Sequence, residues 1–222
     1  MTGLPVSDKL SDQRHRSRPK HPRWDKLSAM AVQSQKTELG TALPATTLPD
    51  LDGNSVDLAA YRGDGPLVVA FVANHCPYVK HVEAELGRLA AEAAAAGVNF
   101  VAIVSNDLAN YPDDDVPGAR DQAQRSGWDF PYLMDREQTA AMAFGAACTP
   151  DFFVFDADGK LAYRGAMDES SPKNGKPLTG DALRDAIARI THGDEVPLPH
   201  QPALGCGIKW LPGNQPEGIN LI

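Results

Sequence analysis

Leu67 to Ala73 is an unbroken apolar run, and such a run without alternation marks a strand covered on both faces in a parallel sheet. Asn74-His75-Cys76-Pro77 closes it, and Val79, Val82, Leu86, Leu89 and Ala93 then recur at helical spacing. Pro77 suits the first helical turn, where no amide donor is needed, and Gly97 ends the helix. Val98 to Val104 is a second apolar strand. A strand, helix, strand unit of this length predicts parallel strands joined by a right-handed crossover, so both strands finish at one sheet edge beside Cys76.

Further on, the pattern predicts a helix from Val116 to Arg125, opened by Asp113-Asp114-Asp115 at the positive end of its dipole. Phe130 to Met134 reads as a short strand. Asp135 and Gln138 have the spacing of a capping box for a helix running to Phe144 and stopped by Gly145. Phe152 to Phe155 and Leu161 to Arg164 form a hairpin through Asp156-Ala157-Asp158-Gly159, read as a turn because the later ligands of a calcium loop are missing. Leu183, Ile187 and Ile190 are the buried stripe of a last helix closed by Gly193.

Folded structure is expected to begin at Glu38, where apolar residues start to alternate with turn signals. The expected organisation is a disordered arm over 1–35, one domain over 36–193 and a tail over 194–222. That tail is rich in Pro and Gly, yet Cys206, Ile208, Trp210 and Leu211 are too apolar for free chain, so it is expected to pack back on the domain.

The 222 residues are 42% hydrophobic and 23% charged, enough for one sizeable core. The net charge is −8, yet residues 1–35 hold seven Lys and Arg against three Asp, so the rest is more acidic still. That balance argues against a nucleic-acid partner. No apolar run approaches the roughly 20 residues of a membrane span. The first thirty residues also lack the apolar segment of a secretory signal, and a cytoplasmic location is expected. Residues 1–29 are expected to be dispensable, with Met30 as an alternative start.

Cys76, Cys148 and Cys206 have neither the spacing of a zinc knuckle nor that of a dithiol motif, so reactivity is the question to ask of them. Cys76 stands at a strand-to-helix elbow, where unpaired amides and the helix dipole favour thiolate. Lys80, one turn on, is expected to add to this. His75 and His81 are candidate acid or base groups, and Ser105, Asn106 and Asp107 follow the second strand at the ligand edge of the sheet.

The order of elements, with Thr149-Pro150 before a strand, resembles the thioredoxin superfamily, in which a cis-proline loop faces the redox cysteine. More closely, Asn74-His-Cys-Pro-Tyr-Val-Lys80, Phe130-Pro-Tyr-Leu-Met-Asp135, Thr149-Pro-Asp-Phe-Phe153 and Gly205-Cys-Gly-Ile-Lys-Trp210 resemble the peroxiredoxin-like redoxins related to alkyl hydroperoxide reductases. The resemblance implies an α/β thioredoxin-like fold: a central mixed sheet flanked by helices, with a helix-strand insertion and a C-terminal tail wrapping back. It matches Cys76 to the first cysteine of the thioredoxin dithiol and Pro150 to the cis-proline. Val79 occupies the second dithiol position, which rules out a disulfide inside the motif. Ala73 stands where peroxiredoxins usually carry a peroxide-orienting Thr, and Val69 where a Pro is usual, departures that weigh against an ordinary peroxidase pocket.

The expected function is thiol redox chemistry. Cys76 attacks a disulfide or peroxide, and a second thiol resolves the oxidised sulfur. Thr149, Pro150 and Cys206 complete the expected catalytic set, and Asn74, His75, Pro77, Tyr78, Lys80 and Asn106 line the substrate pocket. The partner is a redox protein or small thiol; no cofactor is called for. If Cys76 forms an internal disulfide, Cys206 rather than Cys148 is its expected partner, because side chains in extended chain alternate and Cys148 then points away if Thr149 points at the site. Gly205 and Gly207 would let the backbone around Cys206 adapt. The rival reading is a non-enzymatic protein that binds a soft metal such as Cu(I) through His75, Cys76, His81 and Cys206, or an interaction module on the same scaffold.

Overall fold

A computed structural model of the protein describes residues 31–34 and 38–216. Its centre is a mixed sheet of β4 (Leu67–Phe71), β5 (Asn99–Val104), β6 (Tyr132–Met134), β8 (Asp151–Phe155) and β9 (Leu161–Gly165), in the order β6-β5-β4-β8-β9. β4, β5 and β6 are parallel, β8 runs against them, and β9, antiparallel to β8, runs with them again. All five residues of β4 are buried, because both faces are covered.

Val68, Ala70 and Val72 point to one face, where they meet the stripe Val79, Val82, Leu86 and Leu89 of α2 (Pro77–Ala94) and Leu183, Ile187 and Ile190 of α5 (Asp181–His192). Leu67, Val69 and Phe71 point to the other, against Leu58 of α1 (Leu58–Arg62) and Ala140, Ala141 and Phe144 of α4 (Thr139–Phe144). The period-2 alternation of a strand thus explains why no polar residue is tolerated in the run. Phe71, Phe144 and Phe153 meet edge to face at 5.4–5.7 Å between ring centres, an arrangement that adds to simple burial.

The remaining strands include the hairpin β2 (Thr47–Pro49) and β3 (Ser55–Asp57), and a three-stranded antiparallel sheet in the order β1-β10-β7, made of β1 (Ala31–Gln33), β10 (Leu204–Gly207) and β7 (Cys148–Thr149). The expectation that folded structure begins at Glu38 is therefore corrected. Ala31 to Gln33 pairs with Cys206 to Leu204, a long-range pairing that carries no local signal. Residues 1–30, including the alternative start and most of the basic arm, lie outside the described residues. The segment after α5 returns as β10, with Ile208 and Trp210 packed on the second core face.

The capping box expected at Asp135 and Gln138 is also corrected. Asp135 does accept from the amides of Ala140 and Ala141, but the helix opens only at Thr139. Gln138, at φ 62°, instead donates to the carbonyls of Ser105 and Lys209 and accepts from the amide of Leu211. A buried amide side chain able to satisfy one backbone group after β5 and two of the returning tail is drawn there rather than to the cap. Asp115 is the residue that caps α3 (Val116–Ser126), through the amide of Val116, and a turn of 3-10 helix, Pro112–Asp114, precedes it.

Candidate active site

Cys76 is the N-cap residue of α2 and Pro77 its first helical residue. The amide of Val79 points at the Cys76 sulfur, as helix geometry requires of the first free donors. The Thr149–Pro150 peptide is cis. Thr149 presents its carbonyl 3.1 Å from Cys76 Sγ, where it accepts from the thiol.

Cys206 stands opposite Thr149 in the pairing of β10 with β7. Its thiol and its backbone amide both face the Cys76 sulfur, and the amide of Tyr78 faces its own. Both sulfurs therefore lie at the start of one helix. Gly205 permits this: a Cβ there would fall 2.0 Å from the Thr149 carbonyl oxygen. The glycine is needed for close approach of two backbones, not for the adaptability expected of it.

Burial of Cys76 works against its ionisation, and so does the Thr149 carbonyl, which favours S–H. The Cys206 thiol, the Thr149 hydroxyl and the two amides outweigh them and lower its pKa to about 6. Cys206 moves the other way, chiefly because its proton is held between the two sulfurs and secondly because it is partly buried. The pair thus carries one proton and one negative charge near neutral pH. Cys148 is fully buried against Val32, Ala147 and Ala203, and burial pushes its thiol well up.

The other expected pocket residues divide into two groups. Tyr78 is half-buried beside Cys206, and Pro150 and Tyr78 share a groove with His81 and Leu204. Asn106 is buried, donates to Asp114 at 2.8 Å and accepts from the amide of Lys209 at 2.8 Å. His75 pairs with Asp114 at 2.6 Å and stacks on Tyr111. Asn74 ties the elbow to α3, donating to the Asp113 carbonyl and accepting from Arg125. Pro77 and Lys80 are exposed. The expectation that Lys80 supports the thiolate is corrected, because one helical turn carries it onto the solvent face.

Sequence reasoning missed Asp114 and Lys209. Asp114 is one of three consecutive Asp that read in the sequence as helix-opening charges, yet it is fully buried under His75 and Asn106. Lys209 is 6% exposed; its place in the Gly-Cys-Gly-Ile-Lys-Trp segment was the available signal. The four residues of the soft-metal reading do not converge. His75 is bound to Asp114 and His81 to Ser170. Among the described residues no group of three His, Cys, Asp or Glu could hold a metal ion. None of the described helices is long and apolar enough to cross a membrane.

Comparison with known proteins agrees with this geometry. A crystal structure of an uncharacterized conserved protein from Geobacillus kaustophilus superposes with a TM-score of 0.80 at 46% identity, over 82% of this chain and 97% of that one. A hypothetical protein from Sinorhizobium meliloti gives 0.80 at 40% identity, over 82% and 100%. A peroxidoxin of Mycobacterium tuberculosis, 24% identical with a TM-score of 0.54 over 72% of this chain and 100% of that one, shares the fold. A second protein of that organism, which carries the name peroxiredoxin, is 30% identical over 137 residues, 55% of this chain and 80% of its own. Residues 38–178 match the Redoxin family, and the chain, with its thioredoxin-like fold, belongs to that family.

Proposed function

We propose that the protein is a thiol–disulfide oxidoreductase in which Cys76 and Cys206 cycle between dithiol and disulfide. The observation that carries the reading is the placing of the two thiols about Thr149 at the start of α2: Cys206 is the strand partner of Thr149, whose carbonyl is 3.1 Å from the sulfur of Cys76. Closing the pair releases two electrons and the remaining thiol proton. A substrate disulfide takes up the electrons and leaves as one thiol and one thiolate.

Exposure sets the direction of approach. Cys76 is fully buried and Cys206 partly exposed, so an exchange partner meets the pair at Cys206. A reducing thiol that attacks the Cys206 sulfur of the oxidised form expels Cys76, whose low pKa makes it the better leaving group. Ala73, in place of a hydroxyl that would orient a peroxide, favours a disulfide over a peroxide as the oxidant.

Oxidation of the reduced protein with a small disulfide, proteolysis without reduction and peptide mapping test the proposal. The expected main product is the Cys76–Cys206 crosslink, with disulfide turnover lost in Cys76→Ser. A main product joining Cys76 to Cys148, or only intermolecular species, would sink it.

A further inference from the structure

We propose that Lys209 is the counter-ion of the reduced Cys76–Cys206 pair, a positioning residue whose ammonium holds one negative charge on the two sulfurs and loses that partner when they join. The inference rests on the dithiol reading above and adds a residue and a charge balance to it.

Lys209 is 6% exposed although its side chain ends in a cation. Its Nζ donates to the carbonyl of Gly207 at 2.5 Å, one residue from Cys206, and lies 5.5 Å from the centre of the Tyr111 ring. Among the described residues no carboxylate is within ion-pair distance of that nitrogen. A buried ammonium with one neutral acceptor and one ring face needs an anion nearby.

The anions that act on it are Cys206 and Cys76, followed by Asp114. Asp114, on the 3-10 turn, is already engaged by His75 and Asn106. His75 stacks on the Tyr111 ring that Lys209 approaches, so its charge, when present, lies next to Asp114. The sulfurs remain as the partner. Three bonds hold the Lys209 backbone in place: its amide donates to Asn106, and its carbonyl accepts from the Asp107 amide at 2.7 Å and from Gln138 at 2.8 Å.

In the reduced state the thiolate and the ammonium cancel. Oxidation follows the balance Cys76–S⁻ plus Cys206–SH plus RSSR giving the Cys76–Cys206 disulfide, RSH and RS⁻. The negative charge leaves with the product, and a buried cation is left without its partner. The oxidised protein therefore releases the Lys209 proton more readily than the reduced one. Burial already pulls this ammonium below the usual lysine range, and the sulfur charge opposes that pull.

The test is thiolate ultraviolet absorbance against pH for reduced wild type, Lys209→Met and Lys209→Arg. Methionine keeps the packing and removes the charge. The acid ionisation constant of Cys76 is expected to fall about tenfold or more in Lys209→Met, with Lys209→Arg staying within about threefold of wild type. An unmoved midpoint in a folded Lys209→Met overturns the proposal. If that variant does not fold, the Lys209 ammonium is titrated by NMR in the reduced and oxidised wild type. A lower pKa in the oxidised form supports the proposal and an equal one overturns it. Absence of the Cys76–Cys206 crosslink would instead defeat the dithiol reading, while the titration of the reduced protein still reports on Lys209.

Discussion

Cys206 lies directly opposite Thr149 in the pairing of β10 with β7, and the carbonyl of that same Thr149 is 3.1 Å from the sulfur of Cys76. One backbone ladder therefore fixes the separation of two cysteines that are far apart in the chain. The returning strand places a thiol over the helix N-terminus and covers Cys76 with it.

The first prediction concerns the order of thiol reactivity. The pH profile of alkylation at Cys76, followed by mass spectrometry, should have its midpoint near 6, and Cys148 should stay unlabelled until the protein unfolds because burial against Val32, Ala147 and Ala203 pushes its thiol well up and keeps it protonated. Cys206→Ala removes the hydrogen bond from the neighbouring thiol and should raise the Cys76 midpoint. A midpoint at that of a free thiol in wild type refutes the ionisation argument.

A second prediction follows from Gly205. The added methyl of Gly205→Ala meets the Thr149 oxygen at 2.0 Å, so β10 must lift from β7. Labelling of Cys76 at neutral pH should rise about tenfold or more, the factor that corresponds to a loss of about 1.4 kcal/mol from the covered state. An unchanged labelling rate would show that β10 does not control access.

Stability of the reduced protein should depend on pH in a way that the two thiols make opposite in sign. Cys76 has a lowered folded pKa, so its contribution is present above the ordinary thiol pKa and is lost as pH falls toward about 6. Cys206 has a raised folded pKa; its contribution is present below the ordinary thiol pKa of about 8.5 and is lost above it, where only the unfolded chain ionises. Denaturant midpoints should therefore climb from pH 6 to a maximum near about 8.5 and then fall. Cys76→Ser should remove the acid limb. A limb that persists unchanged in that variant would assign it to other groups.

Asp114→Ala should destabilise the fold by about 1–3 kcal/mol or more, because it leaves the Asn106 side chain and the His75 amide without their acceptor. His75→Ala should cost less, since Asp114 keeps the backbone amide of residue 75 and the Asn106 side chain as donors. Urea unfolding of the two variants measures both. Equal losses would mean that Asp114 matters only through the histidine.

The sequence by itself determined the central sheet and its covering helices. The run from Leu67 to Ala73, the stripe from Val79 to Ala93 and the hairpin around Asp156 are local patterns whose period already states which face is buried. It also determined Cys76 as a thiol at a helix start, because elbow, proline and helix are contiguous. Only the tertiary structure decided what surrounds that thiol. The cover of Cys76 by Cys206, the entry of Ala31 to Gln33 into the sheet and the burial of Asp114 and Lys209 all depend on contacts between distant segments. Those contacts are set by backbone hydrogen bonds and close approach at a glycine, and neither leaves a periodic trace in the order of residues.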